Sequence, residues 1–255
     1  MNKNNIQDIL EKIAAGKLSV EEALEKLGDF PSALMDFAHI DTHRFLRRGI
    51  PETVFGEGKT PEQIEQIVER MLSTESPVLI TRISPVAAEG LAGRFPDADY
   101  DPVSSTVLVG RLPSAGGRSV LVMAAGTSDL PVAEEACRTA AFLGRDVVRA
   151  YDVGVAGIHR LASYRNEMAS SGVIIAVAGM EGALPGVIAG LVSKPVIGVP
   201  TSIGYGASFS GITPLLTMLS SCAGGLTVVN IDNGYGAAVA AHLMLGGSEG
   251  KSSGE

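Results

Sequence analysis

Tryptophan is absent from this 255-residue sequence, and aromatic residues of all kinds make up only 5% of it. Proteins that hold single-stranded nucleic acid stack bases on aromatic side chains, so that platform is missing. A long basic run is missing too, and the formal net charge is −8. A surface for phosphate backbones needs the opposite sign, so nucleic acid is not an expected partner. Cysteine is scarce. Cys137 and Cys222 lack metal-ligand spacing, and two thiols do not make a disulfide framework. The opening "MNKNNIQDILEK" has no apolar signal-peptide core, which gives a cytoplasmic expectation.

What is abundant is apolar side chain. It makes up 45% of the residues against 19% charged, enough for a sizeable core and too apolar for global disorder. One stretch, Gly172 to Val192, is apolar enough to resemble a membrane span. Glu181 and Pro185 would lie near its centre, where a carboxylate costs ~3 kcal/mol. The stretch divides more naturally into a buried strand, a glycine turn and a helix of small residues. No membrane association is expected.

The first 116 residues read as a smaller, mixed α/β region. Ile6, Ile9, Leu10 and Ile13 share a helical face; Ser19 and Glu22 make a capping box; Gly28 closes a second helix. A third helix is expected over Leu34 to Arg47. Thr60, Pro61 and Gln63 announce another. "PVLITR" and "STVLVGR" read as strands on either side of a capped helix, "SPVAAEGLAGR". "PSAGGRS" (Pro113 to Ser119) reads as a linker. From 117 to 246 five apolar runs alternate with helical segments, the pattern of a parallel sheet covered on both faces. Residues 247–255 are expected to form a disordered tail.

An open parallel sheet binds ligands beyond the C-terminal ends of its strands. The segments following the five runs are therefore the candidates. "GTSDLP" (Gly126 to Pro131) offers backbone N–H groups and two hydroxyls, from Thr127 and Ser128, at a helix start that suits a phosphate. Asp129 could accept from ribose hydroxyls, or Asp129 or Ser128 could simply cap the helix. The segment matches neither the dinucleotide fingerprint nor the P-loop. Asp152, His159 and Arg160 follow the second run, and His159 is a candidate acid, base or phosphate partner. Glu181 lies in a glycine turn opened by Gly179, where an idle carboxylate would be costly unless it is paired or caps the next helix. Cys137 lies mid-helix and reads as structural. Cys222 precedes Gly224 and Gly225, which would permit close approach of a ligand. Core filler and reactive thiol both remain open for it.

Gly126 to Pro131, His159–Arg160 and "VAGMEGALPGVIAGLVSKPVIGVP" resemble the aminoimidazole ribonucleotide carboxylases and mutases of purine synthesis over about residues 118 to 245. Gly157–Ile158 depart from the Ser-Ala those enzymes place before His-Arg. Glu181, Cys222 and the first hundred residues are also foreign to them. "DTHRFLRRGIPETVFGEGKT" and "SSCAGGLTVVNIDNGYGAA" resemble a second family over nearly the whole chain. These are the LarB-type pyridinium-3,5-biscarboxylic acid mononucleotide synthases of nickel-pincer cofactor assembly.

The resemblance implies a fold: a C-terminal three-layer parallel-sheet domain, PurE- or flavodoxin-like, behind a smaller mixed α/β domain. It implies a dinucleotide substrate, nicotinic acid adenine dinucleotide, with carbon dioxide or bicarbonate as co-substrate. It implies carboxylation of the pyridinium ring and cleavage of the phosphoanhydride, with magnesium assisting and no organic cofactor. Cys222 would be the nucleophile and Glu181 a base. His159 and Arg160 would lie near the phosphoanhydride, and Gly126, Thr127, Ser128, Asp129 and Asp152 near phosphate and ribose. Gly179, Gly224 and Gly225 would give the substrate clearance. A homo-oligomer, an octamer by analogy with the purine enzymes, is also implied. Two alternatives stand beside this reading: a purine-type mutase that does not depend on Cys222, and a nucleotide sensor that binds without turnover.

Overall fold

The computed structural model describes residues 3–28, 31–73 and 76–246. The expected tail at 247–255 lies outside them. Two compact units are present. One is built on residues up to Tyr100 together with Val107–Arg111; the other comprises Asp101–Thr106 and the chain from Leu112 onward.

The first unit contains α1 (Lys3–Ala14), α2 (Val20–Lys26), β1 (Ala33–Leu34), β2 (His39–Ile40), α3 (Arg44–Arg48), β3 (Thr53–Phe55), α4 (Pro61–Leu72), β4 (Val78–Thr81) and α5 (Pro85–Arg94), with β5 (Asp99–Asp101) and β6 (Thr106–Val109) completing its sheet. Ser19 and Glu22 close the expected capping box ahead of α2. Thr60 and Gln63 do the same for α4, with Pro61 in the first turn. The helix expected over Leu34 to Arg47 is corrected. Its first part is a two-residue antiparallel hairpin, Ala33 opposite Ile40, and only Arg44–Arg48 is helical. Pro31 and the short apolar spacing fit a turn better than a helix that would have to start at Leu34. The four-stranded sheet has the order β3-β4-β6-β5, parallel between β3 and β4 and antiparallel between β4 and β6. Ile64, Ile67, Val68 and Met71 of α4 and Leu91 of α5 bury against Val78, Ile80, Val107 and Val109.

The second unit contains β7 (Val120–Ala124), α6 (Leu130–Phe142), β8 (Val147–Ala150), α7 (Arg165–Ser170), β9 (Val173–Ala178), α8 (Leu184–Leu191), β10 (Val196–Pro200), α9 (Ile212–Leu219), β11 (Leu226–Val228) and α10 (Gly234–Met244). Short 3-10 turns join several of them, at Thr127–Asp129, Val155–Tyr164 and Gly206–Gly211. The five strands are all parallel, in the order β11-β10-β9-β7-β8. Every residue of β7, β9 and β10 is buried. Strands covered on both faces need such continuous apolar runs, and each large aliphatic side chain so buried contributes about 1.5–3 kcal/mol. Alternate residues go to opposite faces. Val120, Val122, Ile175 and Val177 meet the alanines of α6 and α10; Leu121, Met123, Ile174 and Ala176 meet Leu161, Met168, Leu184, Ile188 and Met218. The three layers are helices, sheet, helices, as expected, and the suspected membrane stretch is β9, a turn and α8. Among the described residues no helix is long and apolar enough to cross a membrane.

The strand order has one consequence for function. From β7 the chain moves outward to β8 on one side, then returns to place β9 on the other. The helix after β7 covers one face and the helix after β9 covers the other. Their first turns diverge and leave a crevice beyond the ends of β7 and β9, the switch point of a doubly wound sheet.

Candidate functional site

A cavity of about 470 Å³ opens at that switch point. Four segments line it, one after each of β7, β8, β9 and β10. Of the residues singled out in the sequence, Gly126, Ser128, Asp129, Arg160, Gly179 and Glu181 line the cavity. Thr127, Asp152, His159, Cys222, Gly224 and Gly225 do not, though Asp152 reaches it indirectly by pairing with Arg160.

Asp129 organises the rim. Its side chain is 4% exposed. One carboxylate oxygen accepts from the Gly126 N–H at 2.9 Å and the other from the Thr201 hydroxyl at 2.7 Å. The Gly179 amide adds a third bond. Burial raises its carboxyl above the usual range while those three donors oppose the rise. Asp129 does not cap α6 with its side chain. It ties together the ends of β7, β9 and β10. Both of its oxygens are engaged by the protein.

Two glycines of the rim are required by contact between loops. A Cβ on Gly179 would stand 2.3 Å from the Ile203 carbonyl oxygen, and one on Gly154 would stand 2.8 Å from that of Ala125. Gly179 therefore gives clearance first to the chain itself. The Met180 N–H donates to the Ile203 carbonyl at 3.0 Å, and Met180 holds φ at +50° on the cavity wall. A left-handed non-glycine residue costs free energy and concentrates at sites where geometry is imposed.

Besides Asp129, two charged side chains line the cavity. Arg160 is half-buried, bonds to the Gly157 carbonyl and pairs with Asp152. Glu181 is exposed at the mouth, and no other described side chain takes its carboxylate. Its bland role, capping α8, is not used: the cap position is Ala183, without a side-chain bond. A cation and an uncommitted carboxylate across one crevice can hold an anionic group and receive a proton. His159, exposed, projects outside this lining.

Cys222 requires the largest correction. The sequence reading brings its loop to the functional rim. That loop instead leads into β11, whose first residue pairs with Val196, the first residue of β10. It belongs to the beginnings of the strands, while the cavity lies at their ends. The neighbouring Ser221 packs beside Gly186 of α8, and Cys222 is exposed. Nothing stands within 4 Å of a Cβ built on Gly224 or Gly225. Cys137, as expected, is buried in α6. Burial pushes its thiol up to about 12, and its sulfur lies 3.5 Å from the Tyr151 hydroxyl.

The segments that carry Met180, Ile203, Gly204 and Tyr205 were expected at the rim, and all four lie in the cavity wall, but sequence reasoning singled out none of them. The signal for the last two was present in "IGYG", an aromatic residue between glycines after a strand. Among the described residues no group of three or more His, Cys, Asp or Glu side chains could hold a metal ion. Asp152 pairs with Arg160.

Residues 119–253 match the AIR carboxylase family and residues 32–111 match the LarB/PurE-like N-terminal domain. An uncharacterised protein of Methanocaldococcus jannaschii is 39% identical, over 94% of this chain and 96% of its own length. An N5-carboxyaminoimidazole ribonucleotide mutase of the same organism is 33% identical over 49% of this chain and 78% of its length, and one from Pyrococcus horikoshii is 34% identical over 47% and 67%. A solved structure of a PurE2 variant from Treponema denticola superposes with a TM-score of 0.43 at 21% identity, over 51% of this chain and 81% of that one; that likeness adds nothing to the topology described above. Crevice, rim and sequence agree, and the chain belongs to the AIR carboxylase family, with a LarB/PurE-like N-terminal domain in addition.

Proposed function

We propose that this PurE/LarB-family protein carboxylates carbon 5 of the pyridinium ring of nicotinic acid adenine dinucleotide and hydrolyses the phosphoanhydride. The products are pyridinium-3,5-biscarboxylic acid mononucleotide and AMP. The observation that carries the reading is the exposed Cys222 thiol in open surroundings, within a chain that joins an AIR carboxylase domain to a LarB/PurE-like one.

The chemistry gives the thiol its task. A pyridinium ring is electron-poor, and its carbon 5 does not attack carbon dioxide. A thiolate adding to carbon 6 forms a C–S bond and converts the ring to an enamine. Carbon 5 then attacks carbon dioxide. A base removes the proton from carbon 5, the electron pair restores the aromatic ring, and the C–S bond breaks to return the thiolate. Glu181, uncommitted at the cavity mouth, is the base. Arg160 holds a phosphate oxygen, and Gly126 and Ser128 meet the ribose phosphate. Water takes up the adenylate on cleavage. Magnesium, where it assists, would neutralise charge on the substrate's diphosphate during cleavage of the anhydride.

The cavity and Cys222 of one chain are apart, so the nucleophile of this reading comes from a second copy. α9 supports that arrangement. Ile212, Leu216 and Leu219 are 45, 58 and 63% exposed along the helix that ends just before Cys222, and a copy seated on that apolar face would be carried up against the thiol.

The test is incubation of the protein with nicotinic acid adenine dinucleotide, bicarbonate and magnesium, with mass spectrometry of the products. A biscarboxylated mononucleotide and AMP are expected. Unchanged substrate beside turnover of carboxyaminoimidazole ribonucleotide would replace this reading with the purine-type mutase, which the relatives' chemistry also supports.

A further inference from the structure

Among the described residues that line the cavity, Arg160 is the one cation. An arginine side chain has many rotamers, and two residues outside the lining select one for it. Asp152 pairs with the guanidinium, and the Gly157 carbonyl accepts from Nε at 3.4 Å. The segment that carries both residues is itself pinned to the end of β7. The Val153 and Gly154 N–H groups donate to the Ala124 and Ala125 carbonyls at 3.1 and 2.8 Å. Asp152 holds φ at +57°, a conformation that aspartate tolerates better than most residues but that still costs free energy.

The Asp152–Arg160 pair does little for the fold. Its side chains are 56 and 37% exposed, and ion pairs so open to water contribute little stability. Gly157 adds a steric condition. A Cβ built there would stand 2.6 Å from the Arg160 Nε and 3.0 Å from its Nη2. Its φ of −132° lies outside the region that favours glycine, so the backbone does not demand one. The atoms in the way are the free end of a single flexible side chain. Any side chain at position 157 would therefore leave the fold standing and evict the guanidinium. Serine, the residue the purine enzymes place before Ala-His-Arg, is such a side chain.

We infer that Gly157 and Asp152 are positioning residues that aim the Arg160 guanidinium at a phosphate oxygen of the ligand, and that the missing side chain at position 157 is a determinant of phosphate affinity. This rests on the proposed function above, in which Arg160 holds the phosphate. Asp152 and the Gly157 carbonyl take donors at Nη1 and Nε and leave Nη2 for the ligand. A guanidinium fixed beforehand loses less rotamer freedom when an anion arrives.

Calorimetric titration of the full chain with ribose 5-phosphate, the phosphate ester common to both nucleotide readings, tests the arrangement. Gly157→Ala should weaken binding about tenfold and Asp152→Asn about threefold. Asparagine tolerates the left-handed backbone as aspartate does, so the second variant removes charge without moving the chain. In an Arg160→Ala background both losses should shrink to within about twofold, because no guanidinium is left to displace. In turnover, Gly157→Ala should raise KM more than it lowers kcat. Equal losses from Gly157→Ala with and without Arg160 would make the glycine a plain backbone requirement and overturn the inference. Affinity within about twofold of the parent in Gly157→Ala, or a parent that does not bind ribose 5-phosphate, overturns it too. Failure of the proposed function looks different: nicotinic acid adenine dinucleotide stays unchanged while ribose 5-phosphate affinity still falls in both variants. Turnover of the dinucleotide with affinity indifferent to both residues sinks the positioning role alone.

Discussion

Cys137 and Cys222 lie on opposite faces of one five-stranded sheet, and little but the sulfur atom is common to them. Cys137 sits among the alanines of α6 and α10, where burial holds its thiol protonated to about pH 12. Cys222 follows α9 on the other face and meets solvent. The Cys137 face is closed by helices that belong to the same chain. The Cys222 face presents exposed leucines and an open glycine pair. The difference shows that access to each thiol is set by which helix layer covers it within one chain. A thiolate requires access and a stabilising charge, and burial in apolar surroundings denies both.

Four measurements would break or sharpen that contrast. The largest effect belongs to Cys222→Ala, which should reduce carboxylation by about 10³-fold or more while leaving the melting temperature unchanged; Cys137→Ser should retain activity. Equal losses in both variants would dissolve the distinction. The second concerns delivery of the thiol by another copy. Co-expressed Cys222→Ala and Glu181→Gln chains should recover about a quarter of the parent activity, because random mixing leaves that share of sites with both groups intact. A site contained within one chain would recover none.

The third probes the closed face through His242, which is 1% exposed on α10. Arg145 Nε donates to its Nδ1 at 3.1 Å, and burial followed by that nearby charge lowers its pKa to about 4. The unfolded chain binds this proton near pH 6.5 and the native chain only near 4, so stability is complete above 6.5 and falls as pH drops through that window. The loss should approach about 3 kcal/mol in denaturant titrations at pH 4, and His242→Gln should flatten it. An unchanged pH profile in that variant would mean the face is wetter than its packing shows. The smallest effect is that of Gly224→Ala. With nothing within 4 Å of the new methyl group, unfolding free energy should stay within about 0.5 kcal/mol of the parent. Carboxylation should nevertheless fall if a ring or another copy occupies that space.

The second unit was legible in the sequence because its strands are buried on both faces and write continuous apolar runs that periodicity can find. Most of the rim was legible for the same reason, since segments following such runs converge by topology. The hairpin at Ala33 and Ile40 was not. Two-residue strands carry too little alternation to compete with a helical pattern. The position of Cys222 was missed because its neighbours in sequence follow a helix, and nothing in "SSCAGG" states whether that helix has descended to the beginnings of the strands. Tyr205 was not singled out because its segment reached the rim by topology alone, and an aromatic residue between glycines carries no titratable or phosphate-binding signal.

Asp129 remains as the knot of the site. One carboxylate fastens the loops after β7 and β9 and the end of β10, so none of the three can drift alone. A crevice tied in this way should open as a unit. In hydrogen exchange the amides of Gly126 and Gly179 should therefore open together, at one common rate, and release of the knot by Asp129→Asn should accelerate both equally.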